Sequence, residues 1–512
     1  MSQAQPSISL SDSSRIQLGP WPRLLSASGV LFGVFAVVGQ PQFDPFISLV
    51  LMSFLLGAAA VIQVTTAHHP ERKALHVLSR WSGRAFALGS VMLLTALAGA
   101  GQQYPELLFW SGTVLVSVSG IALIRSMYKD RHTSANLDGV YHNDLVSKGA
   151  AGWILGIVFT GFYVVVYWFP EALDGLIRTT DSLSFAMRGR AADHWFMYGL
   201  FYSLAILIMG VRAFYKYRHD RYQLLKTSSV VFFQLIIAFI LPNILILFNQ
   251  PEFYFSYFWP LKWSYLWPGE FGFGWIIQDG GRLGVFMIFW GAVLSIIATP
   301  ILTYFFGKRW YCSWVCGCGG LAETLGDPFR HLSDYSEKSW KVERWLVYGS
   351  FGIIVAATVL VWVNSAMEGA VLGELSNGVA RAYGFFIGSI WAGVIGVGFY
   401  PLMGSRVWCR FGCPMAAYLG ILQKYFSRFR ITTNGGQCIS CGNCSVYCEM
   451  GIDVRAYAQE GKNIVRASCV GCGICATVCP RGVLKLENGP RAGRTQTSPI
   501  FESIEIFSDL EL

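Results

Sequence analysis

The first 311 residues of this 512-residue chain contain no cysteine; all 13 lie between Cys312 and Cys479. A secreted disulfide scaffold would scatter its pairs along the chain, so this distribution excludes one and fits reduced thiols grouped at metal-ligand spacings. Charge is equally scarce. Only 13% of residues are charged and 54% are hydrophobic, with a mean hydropathy of +0.45, whereas a soluble globular chain is about one quarter charged. The composition is that of a polytopic membrane protein with a polar tail. The N-terminal stretch MSQAQPSISLSDSSRIQLGP lacks the short apolar run and cleavage site of a signal peptide, so the N-terminus is expected to stay in the cytoplasm. No Walker loop or dinucleotide-binding glycine fingerprint occurs, which argues against ATP or NAD(P)H chemistry.

What is present, first, is a series of apolar runs near the ~20 residues a spanning helix needs. Ten are found: Leu24–Gly39, Phe46–Ala67, Ala85–Ala100, Leu107–Leu123, Trp153–Trp168, Phe196–Ala213, Val230–Phe248, Leu283–Phe305, Trp345–Val363 and Phe385–Leu402. One set of alternate loops holds nineteen Lys and Arg, from Arg72 to Arg344, and the opposite set holds six. Basic residues are retained in the cytoplasm when short loops insert, so both termini are expected there. The net charge of +9 is mostly this topological signal and calls for no nucleic-acid partner. The fold class expected is an all-α polytopic membrane protein of about ten spans, N-in and C-in, with a C-terminal cytoplasmic two-cluster ferredoxin-like domain. It divides into a six-span region (1–228), a four-span region (229–430), the ferredoxin-like domain (431–488) and a polar tail (489–512). The expected location is the cytoplasmic (inner) membrane of a bacterium, with the lipid bilayer as the first partner.

The four-span region contains an internal repeat. Gly307-Lys-Arg309-Trp-Tyr311-Cys312-x3-Cys316 recurs ninety-seven positions later as Gly404-Ser-Arg406-Val-Trp408-Cys409-x3-Cys413, each copy directly after a span. Two helix pairs related by a pseudo-twofold axis along the membrane normal would bring both CxxxC pairs to one depth. Four thiolates, with Cys318 as a fifth thiol, could then meet on one soft metal centre or work as a redox dithiol. Buried structural cysteines give the same spacing. A four-residue spacing also stacks both thiols of a pair on one face of a helix.

The tail carries Cys438, Cys441, Cys444 and Cys448, then Cys469, Cys472, Cys475 and Cys479-Pro480, each run spaced CxxCxxCxxxC. This is the bacterial two-cluster ferredoxin pattern, in which the fourth cysteine of each run serves the other cluster. By that rule Cys438, Cys441, Cys444 and Cys479 hold one 4Fe-4S cluster, and Cys469, Cys472, Cys475 and Cys448 hold the second. Gly442, Gly471 and Gly473 would let backbone amides approach the sulfurs. The first run ends Cys448-Glu449 where the pattern has Cys-Pro. A zinc ribbon would use two CxxC knuckles, not two runs of four.

From about residue 230 to residue 486 the chain resembles the membrane polyferredoxins of the NapH and NosR type, and more distantly the CcoG-type accessory proteins. The residues that carry the likeness are Cys312-Ser-Trp-Val-Cys316, Cys409-Arg-Phe-Gly-Cys413-Pro414 and the two ferredoxin runs. The resemblance implies a quinol-dehydrogenase or electron-delivery subunit that serves periplasmic reductases. The family pattern has Pro after each membrane CxxxC; Pro414 fits it, whereas Cys316 is followed by Gly317-Cys318-Gly319.

The NosR branch also carries covalent FMN on a threonine in an Asp-Gly-x-Thr-Gly-Ala-Thr type stretch. Here the nearest string, Asp174 to Thr180, lacks the central Thr-Gly-Ala, so flavinylation at Thr180 is not expected. His68, His69 and His194 lie at span ends without the paired interior spacing of a b-type haem site, so haem is not expected either. The loop from Gln250 to Arg282 is aromatic at almost every second position and reads as an interfacial belt or as a docking lid. Pro242-Asn243 breaks the helix ladder of its span, as a structural kink or as the lining of a quinone pocket.

The leading function is membrane-bound electron transfer between the 4Fe-4S clusters and the quinone pool or an extracytoplasmic redox partner protein, as a subunit of an oxidoreductase and not a stand-alone enzyme. The alternatives are a metal-handling accessory factor that reduces copper or iron for respiratory enzyme assembly, and a structural or redox-sensing membrane protein.

Overall fold

The computed structural model describes residues 150–488 apart from 372 and 374, together with positions 114, 115 and 118. From Ser117 on, these residues belong to one compact unit. The first four expected spans, His68, His69 and the 489–512 tail lie outside the described residues.

Among the described residues five helices are long and apolar enough to cross a membrane: α2 (His194–Lys216), α3 (Arg221–Leu247), α4 (Gly272–Phe306), α6 (Glu337–Ala366) and α7 (Gly378–Gly398). Ahead of them α1 (Ala150–Trp168) is apolar throughout but is followed at Pro170 by a bend of 111°; a sixth span exists if the bent pair crosses as one. Proline cannot donate to the helix ladder and disfavours helical backbone in the residue before it, so the turn falls there. The shorter α5 (Gly317–Glu323) and α8 (Pro414–Tyr425) follow the CxxxC segments. Large apolar side chains such as Phe289, Ile296, Ile353 and Val359 stand exposed on the outside of the long helices, an apolar belt that suits a bilayer.

Helix starts and stops are set locally. The Asp193 carboxylate accepts from the Phe196 amide at 2.7 Å and starts α2, and Asp220 accepts from the Tyr222 amide at 2.8 Å and starts α3. The expected break at Pro242 is absent: α3 runs on to Leu247, with the preceding turns widened over Phe233–Ile240. Wider turns accommodate the missing proline N–H, and Asn243 Nδ2 donates to the Phe239 carbonyl at 2.6 Å.

The aromatic loop after α3 is neither a belt nor an open lid. Phe253, Phe258, Tyr265 and Trp267 are each at most 2% exposed. Trp259 and Trp267 both donate to the Thr358 hydroxyl, at 3.0 and 2.9 Å, and Tyr311 donates to the Ser256 carbonyl at 2.9 Å. Small residues make the room. A Cβ on Gly291 would lie 2.7 Å from that of Tyr265, and one on Gly280 would lie 2.7 Å from the Phe253 ring.

Beyond α8 the chain forms a small domain closed by an antiparallel pair, β1 (Phe429–Thr433) with β2 (Leu484–Asn488), in which Ile431 faces Leu486. Its interior is continuous with that of the bundle: Tyr311, Met415, Leu419, Phe429, Val470 and Ile474 belong to one buried apolar cluster. The domain is therefore packed onto the helices, not tethered to them.

Both repeat copies end their helix at a glycine with positive φ, Gly307 (φ 70°) and Gly404 (φ 94°). A Cβ at Gly404 would lie 2.2 Å from the Ser333 hydroxyl, so Gly404→Ala meets both strain and a clash. It is expected to destabilise the protein by about 2 kcal/mol. Gly349 on α6 has nothing within 4 Å of its Cβ position, and Gly349→Ala is expected to be neutral or stabilising. Thermal melting of the two purified variants checks the contrast; equal melting temperatures would refute it.

Candidate functional site

Two thiol-lined cavities lie in the small domain. Cys438, Cys441, Cys444 and Cys479 line the first, together with Gly442 and Pro480. Cys448, Cys469, Cys472 and Cys475 line the second, with Glu449, Gly471 and Gly473. Each draws three thiols from one cysteine run and its fourth from the other, the grouping expected from the spacing. Gly442, Gly471 and Gly473 all have positive φ, at 79°, 64° and 79°. L-residues avoid this backbone region, and it turns successive amides inward. The Ile452 amide donates to the Cys448 sulfur at 3.4 Å. Four soft thiols with amides directed at them is a donor set that could hold a 4Fe-4S cluster.

The second cavity is held against the bundle through its carbonyls. Tyr222 donates to the Gly471 carbonyl at 2.7 Å, Gln223 to Cys472 at 2.9 Å, Ser313 to Val470 at 2.9 Å and Gln423 to Cys469 at 2.7 Å. Four bundle side chains thus satisfy four consecutive carbonyls, which leaves the amide side of the loop for the sulfurs.

The membrane thiols converge as well. Cys312, Cys316, Cys409 and Cys413 are all buried in the shared core. Cys318 stands two residues from Cys316, and both lie within electrostatic reach of Cys409 and Cys413. The way they meet differs from the expected stacking on one helical face. Cys312 ends a short helix, Arg309–Cys312, the chain turns, and Cys316 stands in extended backbone just before α5. In the second copy Cys409 lies in Val407–Phe411, and Cys413 stands in extended backbone just before α8. The turn inside each CxxxC, and not a helical repeat, points its two thiols inward.

Gly317, where the other copy has Pro414, is explained by its neighbours. A Cβ there would lie 2.5 Å from the Tyr257 hydroxyl and 3.0 Å from that of Tyr202. A proline ring would have no room.

Between the second cavity and the membrane thiols lies a buried network of charges. Asp327 accepts from Lys216 at 2.8 Å, Tyr217 at 2.6 Å and Arg330 at 2.9 Å, and pairs with Arg212 at 2.5 Å. Glu323 pairs with Lys226 at 2.5 Å, with Arg406 at 2.7 Å and with Arg330. Glu449 pairs with Arg330 at 2.8 Å and with Arg406 at 3.0 Å. Arg406 also donates to the Cys312 carbonyl at 2.9 Å and lies 3.9 Å from the Cys409 sulfur; Arg330 lies 4.0 Å from the Cys472 sulfur. A continuous chain of contacts therefore runs from Cys472 through Arg330, Glu449 and Arg406 to Cys409.

Burial pushes the Glu323 carboxyl up, but Arg330, Lys226 and Arg406 together outweigh it and hold it down to about 2. Asp327 is held well below the usual carboxylate range, as burial is outweighed by Lys216, Arg212 and Arg330. Both stay ionised at neutral pH. Five cations face three carboxylates, and the excess positive charge suits a neighbouring site built of thiolates.

Sequence reasoning missed this network. Two signals were in view: Glu449 in the place of a proline, and Arg406 inside the repeat. The repeat alone does not distinguish Arg406 from Arg309, which instead stacks over Phe429 at 4.6 Å. Thr180 spends its hydroxyl on the Ile177 carbonyl at 2.7 Å, and His194 packs against Trp195 at the start of α2, with ring centroids 4.7 Å apart.

Comparison with known families agrees with this geometry. Residues 437–484 match a 4Fe-4S dicluster domain, and residues 288–334 and 383–433 each match a 4Fe-4S binding domain, one on each repeat copy. The chain thus carries ferredoxin-type 4Fe-4S domains. Among curated proteins it is similar to "Putative electron transport protein YccM" of Escherichia coli, 26% identical over 184 residues, 32% of this chain and 47% of that protein. It is similar also to the methylamine utilization ferredoxin-type protein MauN of Paracoccus denitrificans, 28% identical over 34% of this chain and 60% of that protein. MauN of Methylobacillus flagellatus is 27% identical over 31% of this chain and 55% of that protein. The chain spans about half to three fifths of the curated relatives it matches. No solved structure matches it.

Glu449→Gln leaves Arg330 and Arg406 short of a buried counter-charge, and breaking such a pair costs about 3–5 kcal/mol. The variant is expected to melt well below the wild type, while Glu337→Gln, at an exposed pair with Lys341, is expected to match it. Calorimetry of the two proteins in one detergent decides; similar melting of both would show that the network contributes little to stability.

Proposed function

We propose that this protein is a membrane-bound iron–sulfur electron carrier. Its small domain would hold two 4Fe-4S clusters, one on Cys438, Cys441, Cys444 and Cys479 and one on Cys448, Cys469, Cys472 and Cys475. The observation that carries this reading is the sharing of thiols between the two runs in both cavities. Bound clusters supply one-electron chemistry; the chain supplies position, burial and charge. Cys312, Cys316, Cys409 and Cys413, with Cys318 beside them, form a further centre or redox dithiol, and the match of each repeat copy to a 4Fe-4S binding domain favours the centre. The charge distribution of the loops favours a cytoplasmic small domain.

The quinone pool is the membrane-side partner that the bundle suits best. A cavity of about 370 Å³ lies between α2 and α3, lined by Trp195, Tyr198, Tyr202, Gln234, Asn243 and Tyr257. Its ring faces and neutral hydrogen-bonding groups suit an uncharged quinone headgroup, and its one carboxylate, Glu252, faces Arg188 and Arg190 at 3.7 and 3.6 Å. Ser203 presents a buried hydroxyl there without a partner, and Tyr202 donates at 2.7 Å to the carbonyl of Gly317, between Cys316 and Cys318. The membrane polyferredoxins of the NapH and NosR type are the resemblance that fits this arrangement.

A metal-handling role is the second reading, and Cys318 favours it, as a thiol beyond the four that a closed tetrahedral site takes.

Iron and sulfide analysis with EPR tests the first reading. The full-length protein is expected to carry about eight iron atoms in the small domain, and Cys448→Ser and Cys479→Ser each to remove a different EPR signal. Further iron that disappears in a Cys312→Ser/Cys409→Ser double variant would assign the membrane centre. Quinol is expected to reduce the signals of the reconstituted protein. Clusters that answer to no quinol would reject the quinone partner while leaving the carrier reading intact, and bound copper in place of the additional iron would favour metal handling.

A further inference from the structure

A larger cavity, of about 570 Å³, lies where α6 and α8 meet the small domain, and Cys409 forms part of its wall. Apart from Cys409, no residue of the proposed electron path lines it. Four cations line it: Lys308, Arg344, Lys424 and Arg466. Its one lining carboxylate, Glu343, is already engaged by Arg410 at 3.2 Å. Lys308 is the most telling of the four. It is 1% exposed, and its ammonium donates at 3.2 Å to the Ala467 carbonyl, with no carboxylate within salt-bridge distance among the described residues. Arg344 and Arg466 stack on the Trp340 ring from 5.0 and 4.8 Å and are likewise without a carboxylate partner.

Four cations gathered around one partly enclosed space outnumber its one carboxylate, Glu343, whose field Lys308 and Arg466 share with Arg410; a further anion relieves the repulsion that is left, and burial of Lys308 sharpens the cost. The remainder of the wall is apolar or aromatic, with Val347, Ile421 and Val465 beside Tyr348 and Tyr457. Arg344, Val347 and Tyr348 of its wall lie in the first turns of α6, beside the exposed Trp345. Size, charge and polarity together specify an amphipathic anion, and the planar guanidinium forks suit phosphate oxygens.

We propose that this cavity is a binding site for a phosphate ester, held by Lys308, Arg344, Lys424 and Arg466, whose negative charge comes to rest beside Cys409. Two sources have this chemistry: the headgroup of an anionic phospholipid, and a soluble phosphate ester. The site does not depend on which metal the membrane thiols hold. Its occupancy adds a negative charge next to them, so binding at the cavity and the redox state of the thiol centre are linked through Cys409.

The test uses the full-length chain in detergent. Native mass spectrometry measures retention of phosphatidylglycerol against phosphatidylcholine, and a parallel titration measures binding of inorganic phosphate and of AMP. Wild type is expected to hold one phosphatidylglycerol in preference to phosphatidylcholine, or to bind phosphate or AMP; the first result assigns the lipid source and the second the soluble one. Lys424→Gln/Arg466→Gln is expected to weaken that binding about tenfold with its iron content unchanged. Arg221→Gln/Lys485→Gln removes two exposed cations elsewhere and is expected to bind as wild type does. The proposal is overturned if neither anion is preferred, or if the two double variants lose binding equally. Loss of iron in the Lys424/Arg466 variant would also overturn it, because it would make the exposed Lys424 and the half-buried Arg466 structural.

Discussion

The structure depends on one constraint, the pairing of five buried cations with three carboxylates between the helical bundle and the small domain. Arg212 and Lys216 arrive on α2, Lys226 on α3, Arg330 from the segment before α6, and Arg406 from the second repeat copy. None could be buried alone, since an isolated charge in a dry interior is far too costly. Glu323 and Asp327 come from the bundle side and Glu449 from the small domain. The two parts therefore complete each other's charge, which orients the second thiol cavity towards the membrane thiols.

That arrangement also gives the differences between the two repeat copies a physical meaning. The copies share a helix end at a positive-φ glycine, a short helix and a turn inside CxxxC, which is how two distant segments deliver four thiols to one place. They then diverge where their neighbours differ. Pro414 begins α8 against the small domain, whereas Gly317 lies under the hydroxyls of Tyr202 and Tyr257. Arg406 is drawn into the charge network, and Arg309 covers Phe429. The symmetry of the repeat is thus kept in the backbone and given up in the side chains.

Much of the fold was legible beforehand. The apolar runs at Phe196–Ala213, Val230–Phe248, Leu283–Phe305, Trp345–Val363 and Phe385–Leu402 coincide with long helices, because hydrophobic length alone decides that a helix can cross a membrane. The run at Trp153–Trp168 is helical too, but the bend at Pro170 makes it a span only together with the short helical stretch Pro170–Arg178. The aromatic loop was misread, since composition places Trp and Tyr at an interface and cannot show that Gly280 and Gly291 leave room for them inside.

The chain by itself determined the two cysteine runs of the small domain and their spacing. Cysteine spacing within a run is a covalent distance, and the left-handed glycines beside it are local backbone requirements. Only the tertiary structure decided the rest. Glu449 meets Arg406, Tyr202 meets Gly317, and Lys308 faces Arg466 across separations that no local pattern encodes. Those meetings depend on how helices pack and on which buried charges must find one another, and both are properties of the assembled whole.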